Sequence, residues 1–229
     1  MNRLFLVRHG GSTGNAQEAF YNYNDSALCL TTDGVRQALA TGEMLAEVGG
    51  PRWMKPGNFA LEVYASEYYR AQQTARICLD QMGILSVTPK IRTLLNERNY
   101  GTAYKKIMDQ EADCTENDSE SSIRARVRAR AFIAEIEPVL ETADVLAFSH
   151  EGLLRAMVAN LLGYTDEQMM LKLKHIPNGH IFLFHRALGA DGSVFWEKQA
   201  LPDHLVPKAS PTIERPPVGL PRNLRPHTL

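Results

Sequence analysis

Two histidines sit where an apolar run gives way to a polar, glycine-bearing loop: His9 after Leu4-Phe5-Leu6-Val7-Arg8, and His150 after the run from Ala143 to Phe148 and Ser149. One histidine at such a junction is more often a packed or capping residue. Two at equivalent junctions, with Arg8 beside one and Arg70 following a third apolar run, make a stronger pattern. Phosphoryl transfer needs an in-line nucleophile, positive charge around the equatorial oxygens and a proton for the leaving oxygen. His9 as neutral imidazole supplies the nucleophile. Arg8 and Arg70 supply planar forks matched to phosphate, and Ser12 and Asn15 supply further hydrogen bonds. A protonated His150 completes the cradle, and Glu97, in the polar segment after Leu94-Leu95-Asn96, is the candidate general acid.

The elements that must position these groups alternate. Leu4 to Val7 reads as a buried strand, Asp33 to Glu47 as a helix, Phe59 to Ala65 as a strand and Glu67 to Met82 as a helix stopped at Gly83. The first of these helices takes Val35, Leu39, Met44 and Leu45 as its apolar side, with Thr32 or Asp33 as cap. A long helix from Glu120 to Leu140 takes Ile123, Val127, Ala131 and Ala134 as its apolar side, and Arg124, Arg126, Arg128 and Arg130 spread around it as a solvated surface. The strand from Ala143 to Phe148 precedes a helix from Leu153 to Leu162, and Ile181 to Phe184 and Val194 to Trp196 read as late strands. Strands alternating with helices predict an α/β fold, a three-layer sandwich with a mostly parallel central sheet flanked by helices. In such sheets ligands bind at the carboxyl ends of strands, where both histidines fall.

Composition narrows the remainder. The 229 residues carry a formal net charge of -1, which favours neither nucleic acid nor a membrane surface as partner. Three well-separated cysteines, Cys29, Cys78 and Cys114, fit reduced thiols better than a disulfide framework, and no apolar run suits a signal peptide or a spanning helix. The expectation is a cytoplasmic protein acting on a small phosphorylated substrate, with a homodimer left open. A domain over residues 1–200 is followed by a proline-rich tail, 201–229, read as extended. His175, His180 and His185, spaced by five, share neither a helix face nor a strand face, so no metal site is expected from them.

The segment Leu6-Val7-Arg8-His9-Gly10-Gly11-Ser12-Thr13-Gly14-Asn15 resembles the L-V-R-H-G-E-S/T-x-x-N motif of the histidine phosphatase superfamily. Leu30-Thr31-Thr32-Asp33-Gly34-Val35-Arg36-Gln37-Ala38 is similar to its L-T-x-x-G-x-x-Q-A helix start, and Val63 to Ala75 to its V-Y-x-S-x-x-x-R-A-x-Q-T-A segment. Leu95-Asn96-Glu97-Arg98-Asn99-Tyr100-Gly101 resembles L-x-E-x-x-x-G in a form nearest to phosphoglycerate mutases; Ser149-His150 with Arg155-Ala156, and Ile176-Pro177-Asn178-Gly179, resemble the last two motifs. The resemblance implies a phosphohistidine on His9, phosphate held by Arg8, Arg70 and His150, and Glu97 as proton donor and then activator of water. It implies Asn15 and Ser12 as secondary pocket residues, and neither metal nor organic cofactor.

Two positions depart from that pattern. Gly11 stands where Glu is usual, and Glu151 where a small residue follows the second histidine. A carboxylate beside the phosphate would favour the charged form of His150. Glu151 is expected instead in the first turn of the following helix, pointing away, or as a compensating partner that takes up room left at Gly11. The lid segment between Glu97 and His150 is short, which favours hydrolysis, so a phosphatase is ranked above a mutase. A phosphate-binding regulatory protein that has lost turnover is the third reading.

Overall fold

In the computed structural model, residues 2–16, 25–53, 60–100, 119–191 and 193–202 are described. Residues 101–118 of the stretch expected to hold the lid, Cys114 among them, and the tail beyond Pro202 lie outside them.

Strand β1 (Arg3–Arg8) is followed by a single-turn helix α1 (Thr13–Ala16), then α2 (Thr32–Gly49), β2 (Leu61–Ala65) and α3 (Tyr69–Gln81). A two-residue strand β3 (Lys90–Ile91), α4 (Ser122–Ile136), β4 (Asp144–Ser149), α5 (Glu151–Leu161), α6 (Asp166–Lys172), β5 (Ile181–Leu188) and β6 (Val194–Gln199) complete the order. The six strands form one sheet in the order β3-β2-β4-β1-β5-β6. β3, β2, β4 and β1 run parallel, and β5 is antiparallel to both β1 and β6. The mostly parallel three-layer sandwich is therefore present, since α2 and α3 cover one face and α4, α5 and α6 the other.

β1 and β4 lie at the centre, covered on both faces, which is why Leu4 to Val7 and Val145 to Phe148 are continuous apolar runs instead of alternating ones. One core layer joins Phe5, Val7, Val63 and Phe148 to Leu45, Cys78 and Leu79; the other joins Leu4, Leu6 and Ala147 to Phe132, Leu153 and Met157.

Two helix faces differ from the expectation. In α4 Ile123 and Val127 are exposed, as are Ala131 and Ala134, while Ala125, Ala129, Phe132, Ile133 and Ile136 are buried. In α2 Val35 and Leu39 are exposed, and the inward face is Gly34, Ala38, Thr41, Gly42, Met44 and Leu45. A Cβ at Gly42 would stand 2.7 Å from Gln81 Cβ and 3.0 Å from Cys78 Cα. The helices touch along small residues, and close backbone approach outweighs the larger side chains in choosing the face. The cap of α2 is Thr31, whose side chain accepts Gly34 N–H, instead of Thr32 or Asp33. α6, begun by a capping box at Thr165 and Gln168, had no counterpart in the sequence reading. Among the described residues no helix is long and apolar enough to cross a membrane.

Candidate active site

Parallel pairing of β1 with β4 sets Arg8 opposite Ser149, so the two chains leave the sheet side by side. His9 N–H then donates to Ser149 O at 3.0 Å, and the rings of His9 and His150 stand 5.0 Å apart. Next door, β2 ends at Ala65; the N–H of the following Ser66 donates to Phe148 O, and the first turn of α3 delivers Arg70. Arg8, His9, Arg70 and His150 are all buried, and Arg70 Nε donates to His9 Nε2 at 3.2 Å.

The His9 loop is clamped by backbone on three sides. Gly10 packs so tightly on α2 that a Cβ there would lie 2.3 Å from Gly34 O, and Gly34 in turn meets Gly11 O. Thr31 N–H donates to Gly11 O at 2.9 Å, and Gly11 N–H donates to Gln37 Oε1 at 2.7 Å. From α3, Thr74 Oγ1 accepts Gly10 N–H at 3.1 Å. From the turn before β5, Asn178 Nδ2 donates to His9 O at 3.0 Å and Gly179 N–H to Arg8 O at 3.2 Å. Thr31, Gly34, Gln37, Thr74 and Asn178 are thus parts of the site that residue chemistry alone did not reveal.

The hydrogen bonds fix the imidazole tautomers. His9 Nδ1 lies 2.6 Å from Gly10 O, an acceptor only, so Nδ1 carries the proton and Nε2 keeps its lone pair beside Arg70. For His150 the argument runs through Asn96. Its Oδ1 accepts Glu67 N–H at 3.2 Å and its Nδ2 donates to Glu67 Oε1 at 2.7 Å. Ser66 Oγ therefore gives its single proton to Asn96 Oδ1 at 2.8 Å and accepts Tyr68 N–H at 3.1 Å. His150 Nε2, 2.9 Å from that same oxygen, must be the donor. Its Nδ1 is buried without a partner, as is Arg8 Nε. Two buried polar atoms without a protein partner, on residues at the ends of paired strands, mark the candidate ligand site.

Burial, then the charges of Arg70 and Arg8, hold the His9 pKa well below the usual histidine value. Burial, then Arg70, His9 and Arg8, does the same for His150. The unliganded pocket thus holds neutral imidazoles between fixed guanidinium charges. Glu151 is not among the groups that set the His150 pKa; burial and the neighbouring cations govern that ring. Tyr68, left unassigned by sequence, packs edge-on to His150 at 5.1 Å and carries Arg70 on its face at 5.1 Å.

Glu97 arrives differently. Its Oε1 accepts Arg98 N–H at 2.7 Å and Leu153 N–H, in the first turn of α5, at 3.3 Å. That approach is open because residue 152 is glycine: a Cβ there would lie 2.6 Å from Glu97 Oε1 and 2.4 Å from Tyr100 Oη. Arg128 holds the segment from behind, donating to Leu94 O at 3.0 Å and Asn96 O at 2.7 Å while paired with Glu120 at 2.6 Å. Arg126 similarly binds Asn160, Tyr164 and Asp166. Neither is the solvated residue that the sequence suggested.

Ser12 and Asn15 turn toward each other, Ser12 N–H and Oγ both donating to Asn15 Oδ1 at 3.0 Å, which shapes the loop after His9. Glu151 does begin α5, yet it points onto Arg8 at 2.8 Å and Arg155 at 2.5 Å instead of toward solvent. Nor does it share space with Gly11, where a Cβ would face Gln37, Thr31 and Gly34, so direct compensation between the two positions is not how the loops are built. His175, His180 and His185 stand apart, beside Glu151, Phe182 and Glu197 respectively. Among the described residues no three His, Cys, Asp or Glu side chains gather as a metal-binding group.

Comparison with known proteins agrees with this geometry. The family model of the histidine phosphatase superfamily, branch 1, matches residues 4–196. A 2,3-bisphosphoglycerate-dependent phosphoglycerate mutase of Azorhizobium caulinodans is 30% identical over 88% of this chain and 100% of its own length. Among solved structures, mycobacterial hydrolase 1 superposes with a TM-score of 0.66 at 20% identity, over 87% of this chain and 98% of that one. A mycobacterial glucosyl-3-phosphoglycerate phosphatase superposes at 0.65 with 22% identity, over 87% and 98%. With its motifs spread over most of its length and converging on one pocket, the chain belongs to the histidine phosphatase superfamily, branch 1.

Proposed function

We propose that the protein is a phosphomonoester hydrolase that works through a phosphohistidine on His9 and uses no metal. The observation that carries the reading is the unprotonated Nε2 of His9, which accepts from Arg70 Nε, on a loop beside the buried Arg8 Nε and His150 Nδ1, neither of which has a protein partner. Nε2 attacks phosphorus and the P–O bond to the leaving group breaks, with Glu97 giving that oxygen its proton. Arg8 and Arg70 receive the charge spread over the equatorial oxygens, and His150 binds through Nδ1 once protonated. A water then gives its proton to Glu97 and its oxygen to phosphorus, releasing inorganic phosphate and restoring His9. The fixed guanidinium charges do what a metal would do elsewhere, which is the reason for the metal-free assignment.

The curated relative named above is a mutase, and that name supports phosphoglycerate mutase activity as the second reading. A mutase must retain the bisphosphate formed when phosphohistidine passes its phosphoryl group to a monophosphate, and hold the other end of it until His9 takes a phosphoryl group back. The arginines flanking the pocket are otherwise engaged: Arg98 Nε donates to Glu120 O, Arg128 pairs with Glu120 and Arg155 with Glu151. That engagement favours hydrolysis.

A panel of phosphomonoesters, including 3-phosphoglycerate with and without its bisphosphate, separates the two. The expected result is phosphate release that withstands EDTA and is blocked by vanadate, which adopts the geometry of the transferring group. Activity lost to chelation and restored by zinc or magnesium would overturn the metal-free mechanism. Interconversion of phosphoglycerates outpacing phosphate release would establish the mutase.

A further inference from the structure

Glu151 directly follows His150, and its carboxylate lies against the outer edge of the phosphate cradle with a side chain only 17% exposed. Oε2 stands 2.8 Å from Arg8 Nη1 and Oε1 stands 2.5 Å from Arg155 Nη2. Oε1 also accepts Ile176 N–H at 3.3 Å, and His175 Nδ1 lies 3.5 Å away at the solvent rim. Arg8 Nη1 donates as well to Ile176 O, while the buried Arg8 Nε has no hydrogen-bond partner. One edge of this guanidinium is therefore committed to Glu151 and Ile176, and the Nε side is left for a ligand.

We propose that Glu151 is a specificity-determining residue: it anchors Arg8 by its Nη1 edge and, by offsetting part of the cradle's charge, shifts the pocket's preference from the dianion of a phosphomonoester toward its monoanion. The proposal rests on the reading of this pocket as a phosphate site. A ligand on the far edge of Arg8 lies about one guanidinium's width from a fixed negative charge. Each further negative charge on that ligand, still attracted by the guanidiniums, is then bound less tightly than it would be beside a neutral residue 151, on the order of tenfold for a partly compensated pair. The charged and titratable groups facing Glu151 are Arg8 from β1, Arg155 one turn along α5, and His175 from the segment after α6. The guanidiniums stay charged throughout, and histidine is the side chain whose charge changes between about pH 5 and 8. His175 therefore has to be separated from Glu151 in any test.

Calorimetric titration of inorganic phosphate into the full-length protein, from about pH 5 to about pH 8, spans the second ionisation of the ligand. Raising the pH across that range should cost the wild type more affinity than it costs Glu151→Gln, whose affinity at the alkaline end should be about tenfold higher; the proton taken up at His150 adds a fall common to both, and His175→Gln keeps the wild-type profile. Arg155→Met removes the countercharge and leaves Glu151, so it should steepen the fall; this opposite sign keeps the test decisive even where the Gln variant folds poorly. Parallel profiles for wild type and Glu151→Gln overturn the proposal, as does uniform tightening at every pH, which would make Glu151 a clasp that withholds Arg8. Binding is read without turnover, so phosphate that binds with the expected profile in a protein that hydrolyses no ester defeats the hydrolase reading alone. A wild type that binds no phosphate at any pH removes both.

Discussion

His9 and His150 leave the ends of two central strands buried on both faces, and the His9 loop is held by main-chain bonds to Ser149, Thr31 and Gly179 together with the side chains of Gln37, Thr74 and Asn178. Glu97 lies on a segment without regular pairing, held by the guanidinium of Arg128 and by two N–H groups, one of them in α5. The first half of the pocket draws its geometry chiefly from the register of β1 on β4. The second depends on a few side-chain contacts, each of which can be removed without unfolding the sheet. Phosphate binding and phosphoenzyme formation should therefore be separable by mutation from proton delivery.

The sharpest way to break that division is at the nucleophile. His9→Ala should abolish the acid-labile, base-stable phosphoryl group that a quench during turnover traps, and lower hydrolysis by at least about 10⁴-fold. Hydrolysis at wild-type level in that variant would sink the mechanism. Glu97→Gln comes next, with a loss of about 10²- to 10⁴-fold on an alkyl phosphate. A nitrophenyl ester, whose leaving group departs with little protonation, should lose far less. Equal losses on both would make Glu97 a structural residue.

Arg128 tests whether the second half is positioned as described. Arg128→Met removes the bonds to Leu94 O and Asn96 O and the pair with Glu120. We expect kcat on the alkyl ester to drop about tenfold with KM little changed, and the nitrophenyl ester to be nearly untouched, since only the proton donor shifts. A general loosening of the fold would lower both substrates alike.

How much of this was legible before the fold follows from the same division. Arg8, His9, Arg70 and His150 lie at breaks between apolar runs and local elements, and the central strands announce themselves as uninterrupted buried runs, so the sheet and the cradle could be read from order alone. Arg128, Asn96 and Glu151 act through bonds to residues that are distant in sequence or belong to another element, and no local period encodes those. Glu151 illustrates the limit: its place at the helix start was readable, but its aim onto Arg8 depends on where β1 ends. The faces of α2 and α4 were misread for a further reason. Apolar size drew the eye to Val35, Leu39, Ile123 and Val127, whereas the inward stripes are built on Gly42, Ala125 and Ala129, residues small enough for backbones to meet.

The last effect expected is on stability, and it too should fall on one half only. His9 and His150 are buried and neutral, with folded pKa values held below the ordinary one by burial and then by neighbouring cations. In the unfolded chain both titrate near about pH 6.5. Below that value the unfolded chain binds more protons than the native one, so stability is complete above it and is lost as pH falls, by up to about 1.4 kcal/mol per pH unit for each group. Urea midpoints taken from about pH 7.5 down to about pH 5 should show this loss. His150→Gln should make the slope shallower, while Glu97→Gln should leave the histidine contribution in place. Saturating inorganic phosphate should flatten the slope in the wild type, because an anion beside the orphaned Nδ1 favours the protonated ring that native burial opposes. At neutral pH the same linkage requires phosphate binding to draw protons from the buffer, seen as a binding enthalpy that depends on the buffer's ionisation heat. A slope unchanged by His150→Gln, together with phosphate binding that takes up no proton, would mean that His150 enters the cradle already charged, contrary to its burial.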